Sequence, residues 1–288
     1  MSIKLENVSY QYKDSKRRPA LNHVSLEIGK GEFIGIAGHT GSGKSTLIQH
    51  FNGLIKPTEG NVLFDGRDIH EPGYSLKELR GKVGLSFQYP EHQLFEVTVF
   101  DDVCFGPKNL DLPEDEIQTR AKEALELVGM DEKYHEKSPF ELSGGQKRRV
   151  AIAGIIAMKP EYLILDEPTA GLDPLGRDKI LNLLKKLHEE EGITIILVTH
   201  SMEEIADYVG RILVMDKGHL EFDGTPEEVF EHREELEKMG LTIPFYAAIT
   251  DDLKKAGYFG ENPEISAITL QEAKEAILTK WKRDHKSC

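Results

Sequence analysis

The chain has 288 residues, of which 39% are hydrophobic and 30% are charged, as in a globular protein with one large domain or two smaller ones. Its formal net charge of −14 argues against nonspecific nucleic-acid binding, which relies on basic side chains that neutralise phosphates. Cys104 and Cys288 lie too far apart for a disulfide framework or a metal-binding spacing, so we expect a core thiol and a tail thiol in a reducing cytoplasm.

Two strands are predicted at the start of the chain from the alternation of apolar and polar residues. Their segments read SIKLENVSYQY and LNHVSLEIGKG, and the loop KDSKRRP separates them. Because such alternation is typical of strands with one exposed face, the two segments predict an antiparallel sheet.

A glycine-rich phosphate-binding loop follows the next predicted strand, EFIGIAG. The loop reads GHTGSGKST and leads into the apolar helix TLIQHFNGL, which is the context that this motif needs. Its glycines let backbone N–H groups surround phosphates, while Lys44 supplies a charge to the terminal phosphates and Ser45 a hydroxyl to Mg²⁺. The predicted nucleotide-binding residues of the loop are Gly38, His39, Thr40, Gly41, Ser42, Gly43, Lys44, Ser45 and Thr46.

Four more short apolar runs are typical of buried parallel strands. They read KVGLSFQ, YLILDE, TIILVTH and RILVMD, and helical segments separate several of them. This order predicts an α/β protein with a doubly wound sheet. Gln88 ends the first of the four runs, where a ligand contact and a plain loop position are equally compatible with the pattern.

A helical block between about residues 98 and 160 is predicted to be inserted between two strands of the sheet. The segment PEDEIQTRAKEALELVGM places four apolar side chains on one helical face, namely Ile117, Ala121, Leu125 and Val128. The same block contains ELSGGQKRRV, a second glycine turn that opens a basic helix. Helix starts of this kind bind anions, because free N–H groups and the positive end of the dipole face outward.

Two adjacent acidic residues, Asp166 and Glu167, end the apolar, predicted buried strand YLILDE. Adjacent carboxylates repel each other and resist desolvation, and a bound Mg²⁺ ion would compensate their negative charge. We expect Asp166 to hold the ion, usually through water, and Glu167 to accept a proton from an attacking water. A strand that simply runs out into a polar loop is the weaker alternative.

His200 ends the strand TIILVTH, at the edge of the sheet where α/β proteins bind their ligands. We therefore predict a contact with the γ-phosphate in preference to a purely structural histidine.

The region after Gly224 is predicted to be a helical extension of the first 224 residues. The segment TPEEVFEHREELEKMG predicts one helix with Thr225 as its cap and Pro226 at its first position. Two more helical patterns follow before Cys288.

From about residue 2 to residue 224 the chain resembles the ABC-family ATPases. The motifs that carry the resemblance stand in the family's order: the loop 38–46, Gln88, LSGGQ at 142–146, Asp166 with Glu167, AGLD ending at Asp173, and His200. The resemblance implies an α/β P-loop NTPase of the ABC ATPase type. It would contain an antiparallel β subdomain, the inserted helical subdomain and the small helical C-terminal extension.

The resemblance also implies ATP as substrate and Mg²⁺ as cofactor. Mg²⁺ would be bound by Ser45, Gln88 and Asp166, and the catalytic residues would be Glu167, His200 and Gln88. An aromatic residue near the start of such chains stacks on adenine, a role that falls on Tyr12, with Tyr10 as the rival and a strand tyrosine packed on the sheet as the plain alternative.

A two-fold dimer would explain the second glycine turn, because each chain can offer this turn to the nucleotide of the other. The resemblance implies this head-to-tail arrangement, with two ATP molecules at the interface and hydrolysis opening the dimer. The residues that would act across the interface are Ser143, Gly144, Gly145, Gln146 and Asp173.

The segment QYPEHQLFEVTVFDDVCFGPKN resembles the ATP-binding subunits of energy-coupling factor (ECF) transporters, including cobalt and nickel importers. Its aromatic and apolar side chains suit a groove for a partner helix, the alternative being core aromatics beside a solvated loop; they are Phe87, Tyr89, Leu94, Phe95 and Phe105. The implied partners are a second ATPase chain, identical or related, a transmembrane coupling protein and a substrate-binding membrane protein. The chain would then lie peripherally on the cytoplasmic face of the cell membrane, and cobalt as solute rests on family likeness alone.

Two other functions remain open from the sequence. One is a soluble ABC ATPase that acts on ribosomes or DNA, which the acidic charge and the lack of a long coiled-coil insertion between Lys44 and Ser143 disfavour. The other is a nonhydrolysing, nucleotide-gated regulator, against which Glu167 and His200 predict real turnover.

Overall fold

The computed structural model describes residues 1–13, 18–259 and 267–285, so residues 14–17 of the predicted loop and the predicted tail thiol Cys288 lie outside the described residues. The strands are β1 (Ser2–Tyr10), β2 (Leu21–Gly29), β3 (Phe33–Ala37), β4 (Glu59–Phe64), β5 (Arg67–Asp68), β6 (Val83–Ser86), β7 (Tyr162–Asp166), β8 (Thr194–Val198), β9 (Arg211–Asp216) and β10 (His219–Gly224). The α-helices are α1 (Lys44–Phe51), α2 (Leu76–Lys82), α3 (Val99–Asn109), α4 (Glu114–Leu127), α5 (Gly144–Ile156), α6 (Pro174–Glu191), α7 (Met202–Tyr208), α8 (Pro226–Phe230), α9 (Arg233–Lys238), α10 (Phe245–Lys255) and α11 (Leu270–His285).

The larger sheet has the strand order β10-β9-β3-β8-β7-β6. Five of its strands are parallel, and they are the five that the apolar runs predict, so the predicted α/β sheet is confirmed. The sixth strand, β10, was not predicted; it pairs antiparallel with β9 at the edge of the sheet. The carboxyl ends of the parallel strands lie at one edge, where α/β proteins place ligands.

The smaller sheet is antiparallel, with the order β2-β1-β4-β5. The predicted pairing of the first two strands is confirmed, whereas β4 and β5 were not predicted. The pairing of β1 with β2 shifts between Leu5 and Val8, around Asn7, which has a left-handed φ of 53°. This irregularity interrupts the strict alternation of the predicted strand.

The parallel sheet is buried on both of its faces. Along β3, Ile34 and Ile36 pack in the core shared with the antiparallel sheet and α1. Phe33 and Ala37, on the other face, pack in the core shared with the helical block and α6. Burial on both faces explains why the parallel strands are continuous apolar runs instead of alternating ones.

The helical block consists of α3, α4 and α5, which pack on one another and lie in sequence between β6 and β7. The predicted apolar face of α4 is confirmed, since Ile117, Ala121, Leu125 and the C-cap residue Val128 are all buried. Cys104 on α3 is buried too, as predicted for a core thiol, and burial raises the pKa of this thiol to about 11.

The tail begins as predicted, because Thr225 caps α8 in a capping box with Glu228 and Pro226 is its first residue. The single helix predicted for TPEEVFEHREELEKMG is wrong, because the segment forms two short helices, α8 and α9. His232, with φ −86° and ψ 38°, precedes α9, and its ring stacks on Phe222 of β10 with a centroid distance of 4.7 Å. Across the described parts of the chain, the helices are too short or too polar to span a bilayer.

Candidate nucleotide-binding site

The phosphate-binding loop lies between the carboxyl end of β3 and the start of α1. Two of its glycines are required by close backbone contacts as well as by positive φ angles of 151° and 111°. A Cβ atom at Gly38 would lie 2.4 Å from the carbonyl oxygen of Met215, and one at Gly43 would lie 2.5 Å from that of Ala20. The loop is therefore enclosed by the end of β9 on one side and by the segment before β2 on the other.

Lys44 is buried at the base of this loop with only 9% of its surface exposed. Its Nζ donates hydrogen bonds to the carbonyl oxygens of Gly38 at 2.6 Å and His39 at 3.1 Å. Burial lowers the pKa of the Lys44 ammonium, and the nearby carboxylates of Glu167 and Asp166 oppose this shift. A desolvated cation held inside a glycine loop is suited to pairing with a phosphate.

His39 connects the loop to the last parallel strand. Its Nε2 lies 2.7 Å from Oδ1 of Asp216, and its Nδ1 lies 2.7 Å from the carbonyl oxygen of Thr40. Although burial acts to raise it, hydrogen bonds from Lys217 and His39 hold the pKa of Asp216 below its usual value. The sequence analysis did not predict this tether, which joins residues separated by most of the chain.

Ser45 and Asp166 are brought together by the fold, as a shared Mg²⁺ site requires. The Ser45 hydroxyl donates to Oδ2 of Asp166 at 2.9 Å. Burial raises the pKa of Asp166; the Ser45 hydrogen bond lowers it, the Glu167 charge raises it and Lys44 lowers it. These two hard oxygen donors fit Mg²⁺, which binds one or two protein oxygens and completes its shell with water and phosphate.

Glu167 and His200 also meet at this edge. Glu167 Oε2 lies 3.0 Å from His200 Nδ1, and the backbone N–H of Glu167 donates to the carbonyl oxygen of Val198 at 2.9 Å. Glu167 has a left-handed φ of 50°, an uncommon conformation for a residue other than glycine. Such backbone strain often accompanies functional sites.

Gln88 lies in an exposed bend two residues beyond β6. The register pairs Ser86 with Leu165, so Gln88 projects beyond the same strand ends that carry Asp166. Its exposed position distinguishes it from the buried residues of the site.

Tyr12 is the exposed member of a pair of aromatic rings beside the loop. It is 45% exposed, and its hydroxyl lies 3.1 Å from Oγ1 of Thr46. Tyr10 packs edge-to-face on Tyr12 at 4.9 Å and on His50 at 5.2 Å. Tyr12 thus presents the more accessible ring, while Tyr10 supports it from the interior side.

The second glycine turn forms the start of α5. The Ser143 hydroxyl accepts from the N–H of Gln146 at 3.4 Å, and the Gln146 side chain accepts from the N–H of Ser143 at 2.9 Å, completing a capping box. A Cβ atom at Gly144 or Gly145 would have no atom within 4 Å, so both backbones face open space.

Asp173 caps α6 by accepting from the N–H of Gly176 at 2.6 Å. The hydrogen bonds given above for Ser143 and Asp173 are local, and in the structurally described segments they do not reach the phosphate loop. The fold thus gathers the loop, Asp166, Glu167 and His200 at one edge, while the second glycine turn (residues 143–146, called the signature turn below) faces open space.

Arg148 is the functional candidate that the sequence analysis missed. It is 2% exposed and forms a two-point ion pair with Glu91. In sequence it belongs to a basic run that resembles a solvated helix face, and only the tertiary contacts reveal that it is buried.

Comparisons with known proteins agree with this geometry. The sequence model of the family described as "ABC transporter" matches residues 21–170. An energy-coupling factor transporter ATP-binding protein, EcfA2, of Clostridium tetani is 52% identical over 291 residues, covering 100% of each chain. EcfA2 of Clostridium perfringens is 52% identical over 281 residues, covering 96% of this chain and 98% of its own.

Two solved structures share the fold. One, cbiO1 from Clostridium perfringens, is described as part of the ABC transporter complex cbiONQ; it is 42% identical, with a TM-score of 0.73, and covers 86% of this chain and 98% of its own. The other, the ATP-binding cassette MJ0796, is a dimer bound to ADP and Pi; it is 35% identical, with a TM-score of 0.70, and covers 78% of this chain and 98% of its own. The chain therefore belongs to the ABC transporter family, as an ATP-hydrolysing, ATP-binding subunit of the energy-coupling factor type.

Proposed function

We propose that the chain hydrolyses ATP at the edge of its parallel sheet to drive uptake of a small solute through separate membrane proteins. The solute is a metal ion, with cobalt favoured over nickel, or a vitamin, and it does not contact this chain. The observation that carries the proposal is the convergence of Lys44, Asp166, Glu167 and His200 around the phosphate loop.

In this proposal the residues of the site have the following roles. The loop 38–46 binds the phosphates, with Lys44 supplying positive charge. Ser45, Asp166 and Gln88 hold Mg²⁺, which neutralises phosphate charge when bound. Glu167 accepts the proton of the attacking water, and His200 orients this carboxylate while facing the γ-phosphate. Tyr12 stacks on adenine.

The signature turn acts on the nucleotide of a second ATPase chain, which is a copy of this one or a related subunit. Helix α5 packs beside β6, whereas the phosphate loop follows β3, three strands away in the order β3-β8-β7-β6. Neighbouring strands are about 4.8 Å apart, so this separation is roughly 14 Å within one chain. A two-fold dimer closes the gap, with Ser143, Gly144, Gly145, Gln146 and Asp173 at the interface. The dimeric state of MJ0796 supports this proposal.

A groove on the helical block is the proposed site for a helix of the transmembrane coupling protein. The groove has a volume of about 350 Å³, and its apolar lining includes Leu94, Phe95 and Phe105. Phe95 and Phe105 are 58% and 42% exposed and pack edge-to-face at 4.9 Å, so two large aromatic rings face solvent together. An exposed apolar groove of this kind suits a partner helix.

Leu94 in this lining is buried. The two other predicted groove residues lie outside the lining: Tyr89 is 42% exposed and stacks on His92, and Phe87 is half-buried. We propose that the chain lies peripherally on the cytoplasmic face of the membrane, which the exposed groove for a membrane-protein helix supports. We also propose residues 1–224 as the ATPase domain, about 98–160 as its helical subdomain, and 225–288 as an extension.

The proposal is tested by measuring phosphate release from ATP by the purified chain and by the membrane complex captured through a tag on it. We expect Mg²⁺-dependent hydrolysis that is faster in the complex. Hydrolysis that is independent of membrane proteins would favour a soluble ATPase. A wild-type complex that binds ATP without releasing phosphate would favour a nucleotide-gated regulator.

A further inference from the structure

Arg148 on α5 hydrogen-bonds to two separate segments of the site. Its Nε and Nη2 donate to the two carboxylate oxygens of Glu91 at 3.0 and 2.7 Å. Its Nη1 donates to the carbonyl oxygens of Pro168 and Ala170, both at 2.8 Å. Since a guanidinium has five N–H donors in one rigid plane, four well-formed hydrogen bonds fix the relative positions of everything they reach.

The two carbonyl groups belong to the turn that follows the catalytic carboxylate. Pro168 directly follows Glu167, and the N–H of Ala170 donates back to the carbonyl oxygen of Glu167 at 3.2 Å. Three residues further on, Asp173 caps α6. The position of this turn therefore determines the positions of Glu167 and Asp173.

Glu91 belongs to the 3-10 helix Pro90–Gln93, which leads directly into the exposed groove. Gln93, Leu94 and Phe95 line that groove, so its wall and the Arg148 contact are parts of one short segment. A ligand that displaces this segment also displaces Glu91.

The Glu91–Arg148 pair is held away from water, with side chains that are 16% and 2% exposed. Although burial acts to raise it, the Arg148 hydrogen bonds hold the pKa of Glu91 below its usual value. Charges paired at low dielectric attract strongly, and removing one leaves the other uncompensated. The Arg148 side chain therefore holds Glu91 and the turn Pro168–Ala170 in fixed positions relative to each other.

We propose that the Glu91–Arg148 pair transmits occupancy of the groove to the turn Pro168–Ala170, which makes Arg148 a positioning residue for Glu167. This inference rests on the proposed function, since it assumes a membrane partner at the groove. It assigns to one buried ion pair the regulation of hydrolysis by that partner.

The test compares Glu91→Gln with wild type in the tagged membrane complex and in the isolated chain. We expect kcat in the complex to fall about tenfold or more, because small misplacements of catalytic groups are costly, while the KM for ATP changes less than about twofold. Stimulation of the isolated chain's hydrolysis by the partner is expected to be lost, although the partner still co-purifies. Glu91→Asp keeps the charge and should give an intermediate kcat.

Glu132→Gln is the matched control, because it removes an exposed carboxylate from another 3-10 helix of the same block, Glu132–Tyr134. It should leave kcat, KM and stimulation unchanged. Thermal unfolding and ATP affinity are measured for each variant, and Glu91→Asp replaces Glu91→Gln in the comparison if the latter does not fold.

Wild-type stimulation in the tested Glu91 variant would overturn the inference. So would a loss of ATP affinity and thermal stability that accounts for the whole fall in activity, since the pair would then serve stability alone. Failure of the proposed function is distinguishable, because the wild-type complex itself would then not hydrolyse ATP.

Discussion

His200 Nδ1 lies 3.0 Å from Glu167 Oε2, which joins the ends of two neighbouring parallel strands through their side chains. The exposed fractions of the two side chains are 70% for the histidine and 19% for the carboxylate. In the proposed mechanism the histidine orients this carboxylate, the general base, from the solvent side.

Replacing Glu167 by Gln removes the proposed proton acceptor and keeps the size of the side chain. We expect phosphate release to slow by about 10²–10⁴-fold, with ATP affinity retained and an ATP-dependent dimer visible by size-exclusion chromatography. Glu161→Gln, beside the other end of β7, is the control and should hydrolyse ATP like wild type. Hydrolysis by Glu167→Gln close to the wild-type rate would contradict the role as base.

Replacing His200 by Ala should also lower kcat, and its effect should depend on Glu167. If the histidine acts through the carboxylate, the double variant Glu167→Gln/His200→Ala will be no slower than Glu167→Gln alone, because residues in contact are not additive. Single-turnover hydrolysis of the four proteins measures this coupling. Fully multiplicative effects would show that His200 acts independently.

Replacing Lys44 by Ala removes the buried ammonium from the phosphate loop and should abolish measurable ATP binding. Isothermal titration with ATP and Mg²⁺ tests this expectation. Lys30→Ala, which removes an exposed lysine paired with Glu161, is the matched control and should bind ATP normally. Equal affinities for the Lys44 variant and wild type would overturn the assignment of the loop.

Tyr12 can be tested by separating its ring from its hydroxyl. Tyr12→Phe keeps the ring and loses the contact with Thr46, whereas Tyr12→Ala loses both. An aromatic pair contributes about 0.5–1.5 kcal/mol beyond burial, so we expect Tyr12→Ala to weaken ATP binding by about two- to tenfold. Tyr12→Phe should stay near wild type. An equal loss in both variants would assign the effect to the hydroxyl.

His50 makes the stability of the fold depend on pH. Burial lowers the pKa of His50 to about 4, against the effect of its hydrogen bond to the carbonyl oxygen of Thr46. Between about pH 6.5 and 4 the unfolded chain therefore binds more protons at His50 than the folded chain does. The contribution of neutral, buried His50 to the free energy of unfolding is complete above this range and is lost as pH falls through it. The full contribution is about 3 kcal/mol.

Denaturant unfolding of wild type and His50→Asn across this pH range measures that contribution. Asn does not titrate, and its amide can donate to the same carbonyl oxygen. We expect the free energy of unfolding to fall less steeply with decreasing pH in the variant. Parallel pH profiles for the two proteins would show that His50 does not titrate as stated.

The sequence predicted the parts of the fold that depend on local pattern. Short apolar runs located all five parallel strands, because burial on both faces excludes polar residues from them. The strand β10 escaped prediction because its residues HLEFDG are mostly exposed or half-buried at the edge of the sheet. The break between α8 and α9 coincides with a tertiary contact, the stacking of His232 on Phe222, which a helical sequence pattern does not reveal.

The candidate site, like the fold, was predictable from sequence only where local motifs mark its residues. Motif spacing located Lys44, Asp166, Glu167 and His200, since the carboxyl ends of parallel strands meet at one edge. The contacts of Arg148 with Glu91 and of His39 with Asp216 join residues 57 and 177 positions apart. Such pairs are set by tertiary packing, and a basic or polar residue type alone does not reveal them.

The placement of β3 has a consequence for biosynthesis. Both of its neighbours, β8 and β9, lie after residue 170, where the match to the family ends. In a nascent chain synthesised only to residue 170, both edges of the apolar strand β3 would have unpaired backbone N–H and C=O groups. Such edges are prone to pair with other chains. At about 5–20 residues per second the ribosome needs a few seconds more to supply β9. During that interval the strand that bears the phosphate loop lacks both of its pairing partners.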